Sequence, residues 1–185
     1  FCHYGETFWE LEGKTWGIIG LGAIGRSVAR IARAFGCRVI YYSTTGKNRS
    51  GEFEQTDLDT LLRASDIVSV HAPLTPQTEG LMDYGAFSRM KPSALFINVG
   101  RGPIVKEADL ARALEEKRIA GAGLDVMERE PLPGDSPLLR IQDSRRLLIT
   151  PHIAWASVEA RTRLVRELEL NLEAWMRGEE RNKIV

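Results

Sequence analysis

Short apolar runs rich in β-branched and aromatic residues alternate along the chain with segments of helical periodicity. Glycine, proline or polar residues follow each run, as expected where buried strands end. These runs predict six strands, at residues 15–20, 38–42, 67–70, 94–99, 120–126 and 147–150. Strands that alternate with helices favour an α/β fold, with a doubly wound parallel sheet between two helical layers.

The helical segments carry signals for where they begin and end. After the first predicted strand, one helix face collects the apolar residues Ile24, Val28, Ile31, Ala32 and Phe35. Gly36 follows, where a left-handed helix cap is usual. Thr56 with Asp59 resembles a capping box for a short helix. One long amphipathic helix is predicted from Ser157 onward, because an apolar stripe runs among its charges at Val158, Val165, Leu168, Leu172 and Trp175.

A glycine-rich turn, Gly20-Leu21-Gly22-Ala23-Ile24-Gly25, stands between the first predicted strand and the first helix. Gly20 permits a tight turn, Gly22 lets the backbone approach a pyrophosphate, and Gly25 lets helix and strand pack closely. The helix N-terminus offers unpaired amides and a positive dipole end to phosphates. The context favours a Rossmann-type dinucleotide site. The alternative is a glycine turn that serves packing alone.

The second predicted strand ends without the acidic residue that commonly binds the adenosine ribose. Ser43 stands there, 18 positions after Gly25. The residues that follow include Thr44, Thr45, Lys47 and Arg49. Without a carboxylate nothing repels a 2′-phosphate, and Lys47 or Arg49 would attract one, so NADP fits this loop. An ordinary solvated turn, with Ser43 serving a ribose hydroxyl, fits equally well, so the sequence leaves NAD and NADP open.

Polar residues follow three of the later apolar runs and would converge at the carboxyl edge of a parallel sheet. Arg101, flanked by Gly100 and Gly102, offers a fork of donors that matches a carboxylate, although a lone arginine is more often a surface ion-pair partner. Asp125 ends a strand, either as a carboxylate facing a cofactor or as a cap for the next turn. A carboxylate clamp here predicts a small acid as substrate.

Glu130 and His152 complete the group expected at this edge. Glu130 precedes Pro131 and would orient an imidazole and raise its pKa, unless it belongs with Glu128 to a charged surface loop. His152 would carry a proton, whereas a single histidine is usually structural. His71 follows the third predicted strand, where backbone contacts to adenosine are the stronger expectation than acid-base work.

Composition narrows the function classes further. Lys plus Arg equals Asp plus Glu at 25 each, so no global field recruits nucleic acid or an anionic membrane. No apolar run reaches the ~18 residues that span a bilayer. The two cysteines, Cys2 and Cys37, suit neither a disulfide scaffold nor a metal site, which fits a reducing cytoplasm. The length of 185 residues suits one domain, predicted as residues 1–185.

Several stretches together resemble the D-isomer specific 2-hydroxyacid dehydrogenase family over nearly all of residues 11–185. The matching stretches are residues 11–15, 20–25, 71–81, 91–102, 120–131 and 151–157. The resemblance implies that Arg101 holds the substrate carboxylate and keto oxygen, that His152 exchanges the hydroxyl proton, and that Glu130 tunes His152. The implied contacts to NAD or NADP are Gly20, Gly22, Ala23, Ile24, Gly25, Ser43, Pro73, Thr78, Val99, Gly100, Arg101, Asp125, His152 and Trp155.

The chain departs from the common family pattern in two places. Ser43 replaces the usual Asp, and Lys106 replaces a more usual helix-capping Asp, a change that we expect to affect stability more than chemistry. Trp155 resembles the glycerate dehydrogenase and hydroxypyruvate reductase branch, where its indole would wall the substrate pocket. The alternative is a core or dimer-contact aromatic.

Family members carry a separate substrate-binding domain, which we expect to lie outside this sequence, with residues 1–10 a stub of the interdomain segment. We therefore expect cofactor binding but little turnover from this sequence alone. The resemblance implies D-glycerate and hydroxypyruvate, or glyoxylate, as substrates and a homodimer as the assembly. A different class, dehydrogenase-like transcriptional corepressors that assemble in response to nucleotide, shares these motifs and stays as the alternative.

Overall fold

The computed structural model describes residues 5, 8–47 and 49–183. Cys2 and His3 lie outside these residues. Seven parallel strands form one sheet in the order β3-β2-β1-β4-β5-β6-β7. They are β1 Thr15–Ile19, β2 Arg38–Tyr42, β3 Glu54–Gln55, β4 Ile67–Val70, β5 Leu95–Asn98, β6 Gly121–Leu124 and β7 Leu147–Ile149. The order reverses between β1 and β4, which creates the crevice where ligands of such sheets bind.

The chain divides into two compact units, Phe1–Pro151 and His152–Val185. The first unit holds the sheet and the helices α1 Ala23–Ala34, α2 Leu58–Ala64, α3 Tyr84–Arg89 and α4 Glu107–Glu115. It also holds two 3₁₀ turns, at Gly102–Ile104 and Pro137–Arg140. The second unit is built on α5, Val158–Met176, which Ser157 caps by accepting a hydrogen bond from the amide of Ala160. The predicted extent of the dinucleotide-binding domain, residues 1–185, stays a prediction.

Alternation along the central strands sends neighbouring side chains to opposite faces of the sheet. Ile18 packs in the cluster that α1 covers, and Ile19 packs in the larger cluster beneath α2, α3 and α4. Val39 and Ile40 of β2 divide in the same way. Apolar side chains on both faces explain why the strands read as continuous apolar runs. The predicted three-layer αβα fold with a Rossmann-type parallel sheet is confirmed.

The structure corrects three details of the predicted elements. A seventh strand, β3, has only two residues, too few to leave a pattern in the sequence. Asp57, not Thr56, caps α2, since its side chain accepts from the amide of Thr60 at 2.9 Å. Gly36 does adopt the expected left-handed conformation, with φ of 80°.

The third correction concerns α1, whose predicted apolar face is buried only in part: Ala32 is 1% exposed and Val28 packs against the core, whereas the other three residues of that face are exposed. Ile24, Ile31 and Phe35 are 66%, 58% and 60% exposed. The residues that α1 buries are Gly25, Ala29 and Ala32. Small side chains let the helix lie close to the sheet, so the packing face is marked by size rather than by hydrophobicity. None of the described helices has the length and apolar character needed to cross a membrane.

Candidate active site at the carboxyl edge of the sheet

The glycine turn after β1 has the geometry that a dinucleotide requires. Gly20 has φ of 93°, and a Cβ there would lie 2.8 Å from the backbone of Ala72. A Cβ on Gly25 would lie 2.2 Å from the Gly20 carbonyl oxygen, so only glycine lets α1 start this close to the strand. A Cβ on Gly22, by contrast, would have open space within 4 Å. The turn therefore exposes backbone amides at the start of α1 for phosphate oxygens.

Ser43 lies beside this turn at the end of β2. The amide of Gly20 donates to the carbonyl of Tyr42 at 3.0 Å, which sets the residue after Tyr42 next to the glycines. Ser43 is 8% exposed, and its hydroxyl has no hydrogen-bond partner among the described residues. A buried polar atom without a partner is costly unless a ligand or water satisfies it. The ribose of a dinucleotide would supply such a partner.

Ala72, two residues after the end of β4, links the glycine turn to the next loops. A Cβ on Gly100 would lie 3.1 Å from the Ala72 carbonyl oxygen, so the loops after β1, β4 and β5 meet at this residue. Pro73 is exposed, and its carbonyl accepts the Thr78 hydroxyl at 2.7 Å. Thr78 is 1% exposed, and its hydroxyl also accepts from the amide of Thr75 at 2.8 Å. Thr78 thus shapes the loop, and its predicted cofactor contact stays a prediction.

Asn98, the last residue of β5, holds the Arg101 loop. Its side chain accepts from the amide of Gly100 and donates to the carbonyl of Arg101, both at 3.0 Å. The Arg101 side chain is exposed, and its Nη1 donates to the Gly100 carbonyl at 2.8 Å. Val99 is half-buried between them. The fully buried amide of Asn98 therefore fixes the backbone from which the Arg101 guanidinium projects.

The Arg101 loop packs directly on the turn that carries Glu130. A Cβ on Gly102 would lie 1.8 Å from the Met127 carbonyl oxygen, so the two backbones are in contact. Glu130 accepts from the amide of Met127 at 3.1 Å, which closes the turn on itself. Arg101 and Glu130 are thereby brought to neighbouring loops of one unit.

Glu107 and Glu128 attach the Glu130 turn to the start of α4. Each carboxylate accepts the backbone amide of the other residue at 2.7 Å. Glu107 is 6% exposed and also accepts the Ser136 hydroxyl at 3.2 Å. Lys106, at the N-cap of α4, makes no side-chain cap hydrogen bond, and Glu128 supplies a side-chain acceptor at this helix end by accepting the amide of Glu107. A helix N-terminus is a favourable place for this carboxylate.

Asp125 lies 5% exposed just past β6. Its Oδ1 accepts the Thr150 hydroxyl at 2.6 Å, and its amide donates to the Asn98 carbonyl at 3.0 Å. The sequence suggested that Asp125 either caps the next turn or faces a cofactor. Its two hydrogen bonds show a further role, because they connect the end of β6 to Asn98 of β5 on one side and to Thr150 after β7 on the other. The sheet edge that would face the nicotinamide end is thus braced by side chains.

His152 and Trp155 lie in the second unit. The indole Nε1 of Trp155 donates to the His152 carbonyl at 3.0 Å, and the Trp155 side chain is 51% exposed. His152 has φ of 53°, in the left-handed region that non-glycine residues seldom adopt. Backbone held in this region often marks functional positions. Trp155 therefore fixes the turn that presents the His152 imidazole.

His71 differs from His152 in its surroundings. Its Nε2 lies 3.0 Å from the Ser69 hydroxyl, which also accepts from the Trp16 indole at 2.9 Å. Burial lowers the pKa of His71 to about 4, so the ring is neutral at physiological pH. A neutral, enclosed imidazole supports the expectation that His71 performs no acid-base chemistry.

Sequence reasoning missed three residues that position the site: Asn98, Glu107 and Thr150. Asn98 carries a usable signal, since it is a polar residue at the end of a buried apolar run. Glu107 and Thr150 carry none, because their partners Glu128 and Asp125 are more than twenty residues away along the chain. Among the described residues, no group of three or more His, Cys, Asp or Glu could hold a metal ion.

Comparisons with known proteins agree with this geometry. A family model described as D-isomer specific 2-hydroxyacid dehydrogenase, NAD binding domain, matches residues 4–154. A hydroxypyruvate reductase from Blautia hydrogenotrophica is 41% identical over 181 residues, which cover 96% of this chain and 55% of that protein. A glycerate dehydrogenase from Methylorubrum extorquens is 39% identical over 184 residues, covering 100% of this chain and 57% of that protein.

The fold comparison gives the same result. An acyclic imino acid reductase solved with NADPH and D-Arg has a TM-score of 0.90 and 34% identity, covering 100% of this chain and 58% of that chain. The chain thus spans a little over half the length of the relatives it matches. The corepressor alternative gains no support from these relatives, which carry the names of reductases and dehydrogenases.

Proposed function

The chain belongs to the D-isomer specific 2-hydroxyacid dehydrogenase family as its NAD-binding domain, and from this premise we propose that the protein carrying it transfers hydride between NAD(P) and a D-2-hydroxy acid or the matching 2-keto acid. Hydroxypyruvate with D-glycerate, or glyoxylate, is the proposed substrate. The names of the two curated relatives support this choice. The proposed setting is a homodimer in the cytoplasm.

The contact between the Arg101 loop and the Glu130 turn carries the proposal. The Gly102 backbone lies directly against that of Met127. This contact brings the loop of Arg101, whose guanidinium suits a substrate carboxylate, against the turn of Glu130, whose carboxylate suits an imidazole. Both lie at the same edge of the sheet as the glycine turn. A turn used only for packing would not need the open space around Gly22.

The bound nicotinamide supplies the hydride chemistry. Gly22, Ala23 and Ile24 bind the pyrophosphate through the backbone at the start of α1. Ser43 binds the adenosine ribose. Pro73, Thr78, Val99, Gly100 and Asp125 shape the remaining wall of the cofactor cleft. These residues orient the reacting partners, and orientation is a large share of the rate enhancement.

Arg101 binds the substrate carboxylate and orients the carbon that reacts. His152 holds a proton at Nδ1 or Nε2 and exchanges it with the 2-hydroxyl oxygen, a step worth roughly 100- to 10,000-fold. The role proposed for Glu130 is to orient the His152 imidazole. Trp155 walls the substrate pocket and, through its hydrogen bond, fixes the His152 backbone.

The decisive test is kinetic, on the full-length protein that carries this chain. Hydroxypyruvate, glyoxylate, pyruvate and a larger 2-keto acid are reduced with NADH and with NADPH in parallel. We expect hydroxypyruvate or glyoxylate to give the highest kcat/KM. Failure to reduce any 2-keto acid would refute the proposal.

A variant test assigns the proton carrier. His152→Ala should lower kcat by at least about 100-fold while the dissociation constant for reduced cofactor changes little. Unchanged turnover would remove His152 from its proposed role. A matched control is His71→Gln, which alters the other described histidine and should leave kcat near that of the wild type.

A further inference from the structure

We propose that Thr150 is a positioning residue for the cofactor: its hydroxyl holds the Asp125 carboxylate in the orientation that accepts the carboxamide of a bound nicotinamide. The inference rests on the dinucleotide binding proposed above, in which Asp125 forms part of the cofactor cleft. It adds a residue that acts on the cofactor through Asp125 and names the atoms through which it acts.

The order of the strands places Asp125 on the nicotinamide side of the sheet. The glycine turn follows β1, and Ser43, which would meet the adenosine ribose, follows β2. The strands β4, β5 and β6 lie on the opposite side of β1 from β2. A dinucleotide lies across the point where the strand order reverses, with one nucleotide over each half of the sheet. Asp125 follows β6 and therefore lies at the half that remains for the nicotinamide.

Thr150 and Asp125 form a short hydrogen bond in an enclosed position. The Thr150 hydroxyl donates to Oδ1 of Asp125 at 2.6 Å. Lengths of about 2.5–2.7 Å are typical of a hydroxyl that donates to an ionised carboxylate, and such bonds are stronger than neutral ones. Asp125 is 5% exposed, so little water competes for its carboxylate. Thr150 therefore fixes the direction in which this carboxylate points.

The backbones that carry the two side chains are themselves held in place. β6 and β7 pair in parallel, with Leu124 opposite Ile149. The amide of Thr150 continues this ladder by donating to the Leu124 carbonyl at 2.9 Å. On the other side, the amide of Asp125 donates to the Asn98 carbonyl at 3.0 Å. A site that is fixed before binding loses less entropy when its ligand arrives.

The chemistry of the carboxylate suits the carboxamide. A primary amide offers N–H donors, and an ionised carboxylate only accepts, at about four positions. The bond from Thr150 therefore orients the Asp125 carboxylate without using every acceptor position. Accepting the carboxamide fixes the rotation of the nicotinamide ring, and hydride transfer requires the reacting atoms to be aligned. The alternative is that Thr150 only braces β7 against β6, in which case the carboxamide has no part in its effect.

The test changes the protein and the cofactor together, in the full-length protein that carries this chain. Thr150→Val removes the hydroxyl and keeps the shape of the side chain. The 3-acetylpyridine analogue of the reduced cofactor keeps the carbonyl of the carboxamide and replaces its amino group by a methyl group. Calorimetry gives the dissociation constants of the analogue and of NADH or NADPH, whichever binds more tightly.

We expect the two changes to be coupled rather than independent. The wild type should bind the analogue about tenfold more weakly than the natural cofactor. Thr150→Val should weaken the natural cofactor by a similar factor but change the affinity for the analogue by less than about twofold. Thr150→Ala removes the same hydroxyl without adding a methyl group, and it should repeat this result.

Three controls isolate the hydroxyl and the nicotinamide end. Thr150→Ser keeps the donor and should restore the affinity for the natural cofactor to within about twofold of the wild type. Thr60→Val breaks a similar bond on α2, from the Thr60 hydroxyl to the Asp57 carboxylate at 2.7 Å, and should change neither affinity. The fragments 5′-AMP and 2′,5′-ADP lack the nicotinamide and should bind the Thr150 variants as they bind the wild type.

The outcomes separate this inference from the function beneath it. If Thr150→Val weakens the natural cofactor and the analogue by the same factor, or weakens neither, the inference is refuted and the dehydrogenase function stands. A wild type that binds both molecules equally well refutes it too. If neither dinucleotide nor either fragment binds the wild type, the proposed function fails, and the inference fails with it.

Discussion

Glu107 and Glu128 accept each other's backbone amides at 2.7 Å, so two carboxylates join the start of α4 to the turn that carries Glu130. A hydrogen bond to a charged acceptor contributes more than a neutral one. The exchange compensates for Lys106, which does not cap the helix. A partly buried reciprocal contact of this kind explains how an exposed turn can hold Glu130 in place.

Removing this contact should destabilise the protein and disturb the Glu130 turn. For Glu107→Ala we expect the free energy of unfolding to fall by about 3 kcal/mol, since the Glu128 amide and the Ser136 hydroxyl lose a charged acceptor. Urea unfolding measures the loss.

Glu115→Ala is the matched control on the same helix. Its carboxylate is exposed and lies 3.7 Å from Arg140, so the expected loss is under about 0.5 kcal/mol. Equal losses in the two variants would contradict the assigned role.

Replacing Lys106 tests the same helix end from the other side. Lys106→Asn introduces a favoured N-cap residue where the present side chain makes no cap hydrogen bond. We expect the free energy of unfolding to rise by about 1 kcal/mol, with kcat/KM unchanged. The measurement is thermal unfolding alongside steady-state kinetics. A loss of stability would show that the Lys106 stem, which packs beside Gly80, matters more than the cap.

Several features of this chain were predictable because they depend on neighbours in sequence. The turn from Gly20 to Gly25, the Arg101 loop and the strand ends all lie where the apolar pattern predicts them. The exposed face of α1 was not predictable, because Ile24 and Ile31 look like core residues unless the close helix-sheet contact at Gly25 is known. Long-range contacts such as Glu107 with Glu128 leave no local pattern either.

Acid should destabilise the folded protein through His71. Burial lowers its pKa from 6.5 to about 4, so between these values the unfolded chain binds a proton that the folded chain does not. Stability is therefore fully present above about pH 6.5 and falls as pH drops, by about 2 kcal/mol at pH 5. Urea unfolding of wild type and His71→Gln at pH 7 and pH 5 isolates this effect from titrating carboxylates. Parallel losses in the two proteins would exclude His71 as the cause.

A pair of glycine substitutions separates packing from cofactor binding. Gly25→Ser places a Cβ 2.2 Å from the Gly20 carbonyl, so we expect loss of both stability and dinucleotide affinity. Gly22→Ser introduces the same side chain where 4 Å of space is open, and serine is a favoured N-cap. Stability should then be kept while dinucleotide affinity falls at least about tenfold, because the side chain occupies the approach to the helix amides. Thermal unfolding and calorimetric titration measure the two effects. Full affinity in Gly22→Ser would place the pyrophosphate elsewhere.

Asn98 offers the sharpest test of how the Arg101 loop acts. Asn98→Leu keeps the branched shape and the number of side-chain heavy atoms, and it removes the bonds to the Gly100 amide and the Arg101 carbonyl, both at 3.0 Å. We expect the KM for the 2-keto acid to rise and kcat to fall, since Arg101 would no longer be held where it binds the carboxylate. Affinity for 2′,5′-ADP, which reports only on the adenosine end, should stay within about twofold. Arg101→Lys should give the same pattern without loss of stability, because the planar fork is lost but the loop is intact. If Asn98→Leu weakens 2′,5′-ADP as strongly as it impairs keto-acid reduction, Asn98 supports the whole domain rather than the Arg101 loop.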